Sequence, residues 1–255
     1  MKNGNDSDGR SRMMKDNDVR LETAGAILFD AARSPQVADN WFEPAFWAAS
    51  GALRIQAGGR GGVAVIETPA GACVLRHYRR GGAVAALLGD RYLWRGAERT
   101  RSFAELRLLA EIARLDLPGP RPLAARYQRH GAFYQADLIT LRIADSRTLA
   151  ECLAAGQLDS ALAARVGELV ARFHRAGIWH ADLNAHNVLV GPQGLFLIDF
   201  DRGERRRIAI SWRQRNLRRL RRSLLKLGAA APDAAAFEVR VWQPLLLAYQ
   251  RSFAA

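Results

Sequence analysis

Two short stretches, His180-Ala-Asp182-Leu-Asn-Ala-His-Asn187 and Asp199-Phe-Asp201, place carboxylates and an amide at spacings that suit phosphoryl transfer. A phosphoryl donor with bound magnesium needs oxygen ligands from two loops, and a further carboxylate must face the acceptor hydroxyl. Asp182 supplies that carboxylate. Asn187 can bring its side-chain carbonyl back to the metal if the intervening loop curls before the apolar run Val188-Leu-Val. Asp199 closes a second apolar run, Leu195-Phe-Leu-Ile, and supplies the other ligand, while Asp201 offers a further metal or hydrogen-bond ligand. The two runs predict a hairpin across Gly191-Pro-Gln-Gly, with a metal ligand beside each end. One Asp before an apolar strand usually only caps a turn; a second acidic turn at this distance favours phosphotransfer.

The H-x-D-x-x-x-x-N pattern with its acidic turn resembles the catalytic loop of protein-kinase-like phosphotransferases, which implies ATP and Mg²⁺ and an upstream nucleotide clamp. Gly58-Gly59-Arg60-Gly61-Gly62, ahead of the alternating Val63-Ala-Val-Ile-Glu, reads as a turn between strands whose N–H groups can approach phosphates. Without the downstream motifs, such a glycine cluster is more simply a flexible turn. Ala72-Cys-Val-Leu-Arg76 stands where kinases carry their phosphate-pairing lysine. Arginine keeps the charge and can grip phosphate bidentately, but it is not a neutral exchange. A solvated strand-end arginine is the competing reading, with His77, Arg79 and Arg80 as rivals for the role. Ser102-Phe-Ala-Glu105-Leu-Arg-Leu-Leu-Ala-Glu-Ile-Ala-Arg-Leu has helical periodicity with Phe103, Leu106, Leu109 and Ala110 inward. Glu105 therefore has two competing roles, a capping box with Ser102 or an ion pair with Arg76; the pair is favoured over pairs from Glu98 or Glu111.

A narrower resemblance rests on Leu75-Arg76-His-Tyr-Arg-Arg-Gly-Gly82, Tyr134-Gln-Ala-Asp-Leu-Ile-Thr140, Trp179-His-Ala-Asp-Leu-Asn-Ala-His-Asn187 and Leu197-Ile-Asp-Phe-Asp-Arg-Gly203. In this order, from about residue 50 to 225, they resemble the 3-deoxy-D-manno-octulosonic acid (Kdo) kinases of Gram-negative bacteria. The resemblance implies transfer of the ATP γ-phosphoryl group to the 4-hydroxyl of Kdo on a lipid A precursor, at the cytoplasmic face of the inner membrane. Asp199-Phe-Asp201 replaces the kinase D-F-G, no A-P-E follows, and about fifty residues remain after Gly203. That is too few for a peptide-binding lobe, so a small or lipid-linked acceptor is expected.

The fold expected is α+β, a bilobal kinase-like arrangement with a small β-rich N-lobe over 21–140 and a shortened, mainly helical C-lobe over 141–255. Residues 1–20 are expected to be a disordered tail, being polar and charged without the apolar segment of a signal peptide. A hinge is expected after Phe133-Tyr-Gln-Ala-Asp-Leu-Ile-Thr140, near Leu141 and Arg142, where backbone groups could pair with adenine. A short helix at Thr148-Leu-Ala-Glu-Cys-Leu and a longer one over Ala161 to His174 lead to the catalytic loop. His174, His180 and His186 are read as structural or ordinary histidines. Cys73 and Cys152 give no disulfide framework or metal cluster and are expected to be buried and reduced. No window reaches the apolar length of a membrane span.

The formal net charge of +13 points to an anionic partner. The excess gathers in Arg205-Arg-Arg207 and in Arg213, Arg215, Arg218, Arg219, Arg221 and Arg222, interleaved with Trp212, Leu217, Leu220, Leu224 and Leu225 as in a basic amphipathic helix. A solvated face, a nucleic-acid patch and an anionic membrane or lipid A surface compete. The lipid surface is favoured; with no stacking aromatics or reader module, no nucleic acid is expected. Three function classes stay open: a Kdo kinase, a kinase of another small molecule or lipopolysaccharide sugar such as heptose, and a pseudokinase. Positive charge argues against a cationic aminoglycoside substrate, and intact Asp182, Asn187 and Asp199 argue against a pseudokinase.

Overall fold

The computed structural model describes residues 19–22, 24–34, 36–56, 63–79, 89–231 and 233–255. The expected tail up to residue 18, the glycine turn Gly58 to Gly62 and Arg80 lie outside the described residues. Val19 and Arg20 fall in a strand rather than in a tail.

The N-lobe is an antiparallel sheet built from β1 (Val19–Glu22), β2 (Gly25–Phe29), β3 (Leu53–Gln56), β4 (Val63–Thr68), β5 (Gly71–His77), β6 (Tyr92–Leu93), β7 (Pro122–His130) and β8 (Phe133–Leu141). Its order is β1-β2-β7-β8-β5-β4-β3, with β6 also paired to β8. Gln56 pairs with Val63, so residues 57–62 lie in the chain between the paired strands β3 and β4. The period-2 alternation of strand side chains divides the apolar residues between two faces. Ile27, Ile66, Cys73, Leu75 and Ile139 pack with Trp41, Phe42 and Trp47 of the segment that ends in helix α1 (Pro44–Ala49). Ala26, Leu28, Ala125, Ala136 and Leu138 face helix α2 (Arg101–Arg114), and that core runs on unbroken into the C-lobe. Covered on both faces, β7 and β8 hold near-continuous buried runs.

Those runs hold a buried ion pair with Asp137, and its cation, Arg126, is 4 % exposed. It is fully paired, to Asp137 (2.9 Å), Asp39 (2.9 Å) and Glu43 (2.9 Å), as burial of a charge requires. Near Leu141 and Arg142, where adenine contacts are expected, the two backbone N–H groups already have partners. The Leu141 N–H donates to the Arg121 carbonyl (2.8 Å) and the Arg142 N–H to that of Ala72 (2.9 Å), so both amides are engaged within the protein.

The C-lobe begins with β9 (Arg147–Thr148) and α3 (Leu149–Ala154), where Thr148 and Glu151 form the capping box. Helix α4 (Ser160–Arg175) is capped by the Asp159 side chain and leads to β10 (Ile178–Trp179). The predicted hairpin is present as β11 (Val188–Gly191) and β12 (Gly194–Leu197). After β13 (Glu204–Arg205) come the basic helix α5 (Ile210–Lys226), a short α6 (Ala234–Phe237), a π-helical turn (Glu238–Trp242) and α7 (Gln243–Ala254). Helices α4 and α7 meet where Gly167 has no side chain; a Cβ there would sit 2.1 Å from the Leu245 carbonyl oxygen. Among the described residues, no helix is long and apolar enough to cross a membrane. Cys73 and Cys152 are buried free thiols.

Candidate active site

The loop after β10 is held by its own polar groups. His180, 2 % exposed, donates Nε2–H to the Ile198 carbonyl (2.9 Å) and accepts the Asp182 N–H at Nδ1 (3.1 Å). That pairing requires one tautomer of a neutral ring, and burial accordingly holds His180 below the usual histidine range. His180 is thus structural, clamping the catalytic loop to the strand that delivers Asp199. The Asp182 carbonyl accepts both the Asn184 and Asn187 side-chain amides, each at 2.9 Å. This curls the loop back as the spacing anticipates and leaves Asn187 Oδ1 without a hydrogen-bond donor among the described residues. Ile198 N–H donates to the Asn187 carbonyl (3.0 Å), so Asn187 and Asp199 flank the same open end of the hairpin, not opposite ends.

Asp199 has φ +61°, a left-handed conformation that Asp tolerates better than most side chains. Phe200 anchors the turn: fully buried, it stacks on Phe173 (5.5 Å) and tilts against His180 (4.9 Å). The carboxylates either side of it turn back to the N-lobe, where Arg76 of β5 pairs with Asp199. Arg101, the first residue of α2, donates Nε–H to Asp201 (2.7 Å). Asp199 and Asp201 thus each have an arginine partner in the N-lobe, Arg76 and Arg101, while Asn187 Oδ1 has none among the described residues.

Arg76 also pairs with Glu105, the partner that the kinase resemblance favours. Glu105 is 3 % exposed and accepts the Tyr78 hydroxyl as well (2.5 Å), while the Arg76 guanidinium lies 4.8 Å from the Tyr78 ring centre. The capping box with Ser102 is not formed. Thr100 is the N-cap, and the Ser102 hydroxyl donates to the Arg126 carbonyl (2.9 Å) from inside the helix. Burial opposes the charge on Arg76, but Glu105, Tyr78 and Asp199 together raise it well above its ordinary value. Burial pushes the Glu105 carboxyl up, against the pull of Arg76. These two shifts argue opposite ways about the pair; geometry favours the ionised form, because Glu105 accepts from two donors and Arg76 holds its proton throughout. The rival residues have other partners: His77 bridges Asp137 and Asp90 (2.7 Å each), Glu98 pairs with Arg107 (3.2 Å), and Glu111 with Arg114 (2.7 Å).

Helix α5 contributes a part of the site that sequence reasoning missed. Asn216, 3 % exposed, donates to the His180 carbonyl (2.8 Å) and accepts from the His180 N–H (3.4 Å) and His174 Nε2 (3.3 Å). Ser223 accepts the Ala185 N–H (3.1 Å), and between them Arg219 donates Nε–H to Asp182 Oδ1 (2.7 Å). Residues 216, 219 and 223 share one helical face, which grips the loop at three points. The available signal was Asn216 itself, a polar residue on the apolar line Trp212, Leu220, Leu224.

Among the described residues no three His, Cys, Asp or Glu side chains cluster as a metal site. One carboxylate and one amide oxygen still fit a cation that keeps most of its ligands as water and phosphate oxygen, the habit of Mg²⁺. A strand-borne cation ordered by a helix-borne glutamate, set over a loop bearing a carboxylate and two hard oxygen donors, defines a kinase-like phosphotransferase.

Comparison with known proteins narrows the class. A family model described as the lipopolysaccharide kinase (Kdo/WaaP) family matches residues 44–249, and the chain belongs to that family. It is 53 % identical over 205 residues to a 3-deoxy-D-manno-octulosonic acid kinase of Stenotrophomonas maltophilia (strain R551-3), covering 80 % of this chain and 81 % of the relative. The 3-deoxy-D-manno-octulosonic acid kinase of Xanthomonas axonopodis pv. citri (strain 306) is likewise 53 % identical, over 204 residues, with 80 % and 81 % covered. A solved structure described as WaaP in complex with acyl carrier protein shares the fold, with a TM-score of 0.50 at 18 % identity, over 80 % of this chain and 82 % of that one. The protein is an ATP-dependent kinase.

Proposed function

We propose that this kinase phosphorylates the 4-hydroxyl of the Kdo residue on a Kdo-bearing lipid A precursor, with Mg²⁺, at the cytoplasmic face of the inner membrane. The observation that carries the acceptor assignment is the 53 % identity to relatives named for Kdo, over four-fifths of both chains. Arg76, ordered by Glu105, and the glycine turn between β3 and β4 would hold the nucleotide phosphates; Asn187 Oδ1 and Asp199 would hold the metal. Magnesium-bound ATP supplies the γ-phosphoryl group, the metal neutralising charge that develops on it. Asp182 orients the acceptor hydroxyl and takes its proton on Oδ2, the oxygen that Arg219 leaves free. His180 keeps that carboxylate in place through its bond to the Asp182 N–H.

Peripheral membrane attachment is supported by the arginine-rich α5 and by the lipid-linked acceptor; each exposed Arg near an anionic leaflet contributes about 1 kcal/mol. The test is transfer of labelled γ-phosphate to the Kdo-bearing precursor, beside heptose-bearing core, kanamycin and a generic protein, with Asp182→Asn as control. Label on the Kdo lipid alone, lost in the variant, is expected. Label on heptose core instead would move the acceptor while keeping the enzyme class.

A further inference from the structure

Beside Asp182 lies an open cleft of about 630 Å³, walled by Trp179, Arg206 and the α5 residues Arg215, Arg218, Arg219 and Arg222. Some of this charge is balanced within the protein. Arg206 pairs with Glu204 (2.9 Å) and lies 3.5 Å from the Trp179 ring centre, and Arg219 pairs with Asp182. Arg215, Arg218 and Arg222 have no acidic partner among the described residues. Spaced three and four apart with Arg219, these like charges repel along one stripe of the helix. The stripe is also fixed in position: Asn216 and Ser223 bind the catalytic loop on either side of Asp182. Unbalanced guanidinium groups carried into a concave site by an anchored helix are complementary to carboxylate or phosphate oxygens.

We propose that this cleft is the subsite for an anionic group of the acceptor, carboxylate or phosphate, and that docking there sets the acceptor hydroxyl against Asp182. The proposal deepens the lipopolysaccharide-acceptor reading above and rests on it. Arg219 is the link, lining the cleft while touching Asp182, so a bound anion lies next to the proton acceptor. A flat membrane contact needs no such concavity and no tie to the catalytic loop.

The test is the double variant Arg218→Gln/Arg222→Gln in the full chain; glutamine keeps helix propensity and removes repulsion, so the melting temperature should hold or rise. Calorimetric binding would use three probes in non-ionic micelles: the Kdo-bearing precursor, the same molecule without its phosphates, and the phosphorylated precursor without Kdo. In the variant, acceptor Kd and KM are expected to rise about tenfold or more, with ATP Kd within twofold. Loss restricted to the phosphate-bearing probes would identify phosphate as the docked anion, and loss with the dephosphorylated Kdo probe would identify the carboxylate. Unchanged acceptor Kd in the non-ionic micelles, where no anionic leaflet is present, or an equal rise in ATP Kd would each overturn the proposal. Arginine-dependent binding of the Kdo precursor by wild type without any phosphate transfer would leave the subsite standing and sink the acceptor reading.

Discussion

Asn216 joins the basic helix to the catalytic loop, and Asn216→Leu tests what that joint is for. Leucine is close in volume, so the change removes hydrogen bonds with little cavity. The His180 carbonyl loses its 2.8 Å donor in a buried setting, which costs roughly 1–3 kcal/mol. The contacts to the His180 N–H and His174 Nε2 are longer, 3.4 and 3.3 Å, and add about 0.5 kcal/mol each. The sum, about 2–4 kcal/mol, corresponds to a fall in melting temperature of roughly 5–15 °C for a chain of this size. Freed from this tie, the loop lets Asp182 shift relative to the nucleotide; a displacement near 1 Å lowers kcat by about a hundredfold. With the nucleotide phosphates held from the N-lobe as proposed, the ATP Kd should stay within twofold. Thermal unfolding, steady-state kinetics and nucleotide binding would be measured together below the variant's transition. A lower melting temperature with wild-type kcat would refute the positioning role, because the joint would then only stabilise the lobe.

Asp182→Asn should lower kcat by about 10²–10⁴ with ATP affinity within twofold, read in a γ-phosphate transfer assay beside a binding titration. The His77 imidazole is raised foremost by its hydrogen bond to Asp137, against burial, with Asp90 adding to it. Its stabilising bridge is therefore complete below the unfolded value of about 6.5 and fades as pH climbs through the raised folded value; His77→Gln should flatten that part of the melting curve against pH. His174 behaves oppositely: burial lowers it to about 3, so stability should fall as pH drops from about 6.5 toward 3, and an acid titration without that slope would contradict a neutral buried ring. Gly167→Ala should destabilise the C-lobe by at least about 1–3 kcal/mol in denaturant unfolding, because its Cβ meets the Leu245 carbonyl.

The candidate catalytic residues stand out in the sequence because their spacing is local. Asp182 and Asn187 lie five residues apart, and two apolar runs flanking Gly191-Pro-Gln-Gly can hardly form anything except a hairpin. The helix carrying Glu105 is readable from its spacing and the Arg76 pair from the kinase resemblance, whereas the expected cap is absent: Ser102 stands inside α2 and serves a carbonyl of β7. What escaped was contact between distant segments. Tyr78 bonding Glu105, Arg101 bonding Asp201, and Arg219 bonding Asp182 join residues 27, 100 and 37 positions apart. No local pattern marks such pairs, and an arginine destined for a carboxylate reads like its solvated neighbours. The amide partners of Leu141 and Arg142, just after β8, are Arg121 and Ala72, which only the folded sheet brings alongside.

The three-point grip of α5 also sets where this chain can change in length. Each residue of an α-helix turns the face by about 100°. Deleting one residue between Asn216 and Ser223 would swing one grip away from the catalytic loop while its neighbour stayed in register, and the arginine stripe would split across two sides of the helix. The same deletion in the turn after Lys226, beyond the last grip, would leave the loop contacts untouched. Insertions and deletions should therefore be tolerated on the far side of α5 and excluded within it, a boundary that scanning single-residue deletions through 210–231 would map.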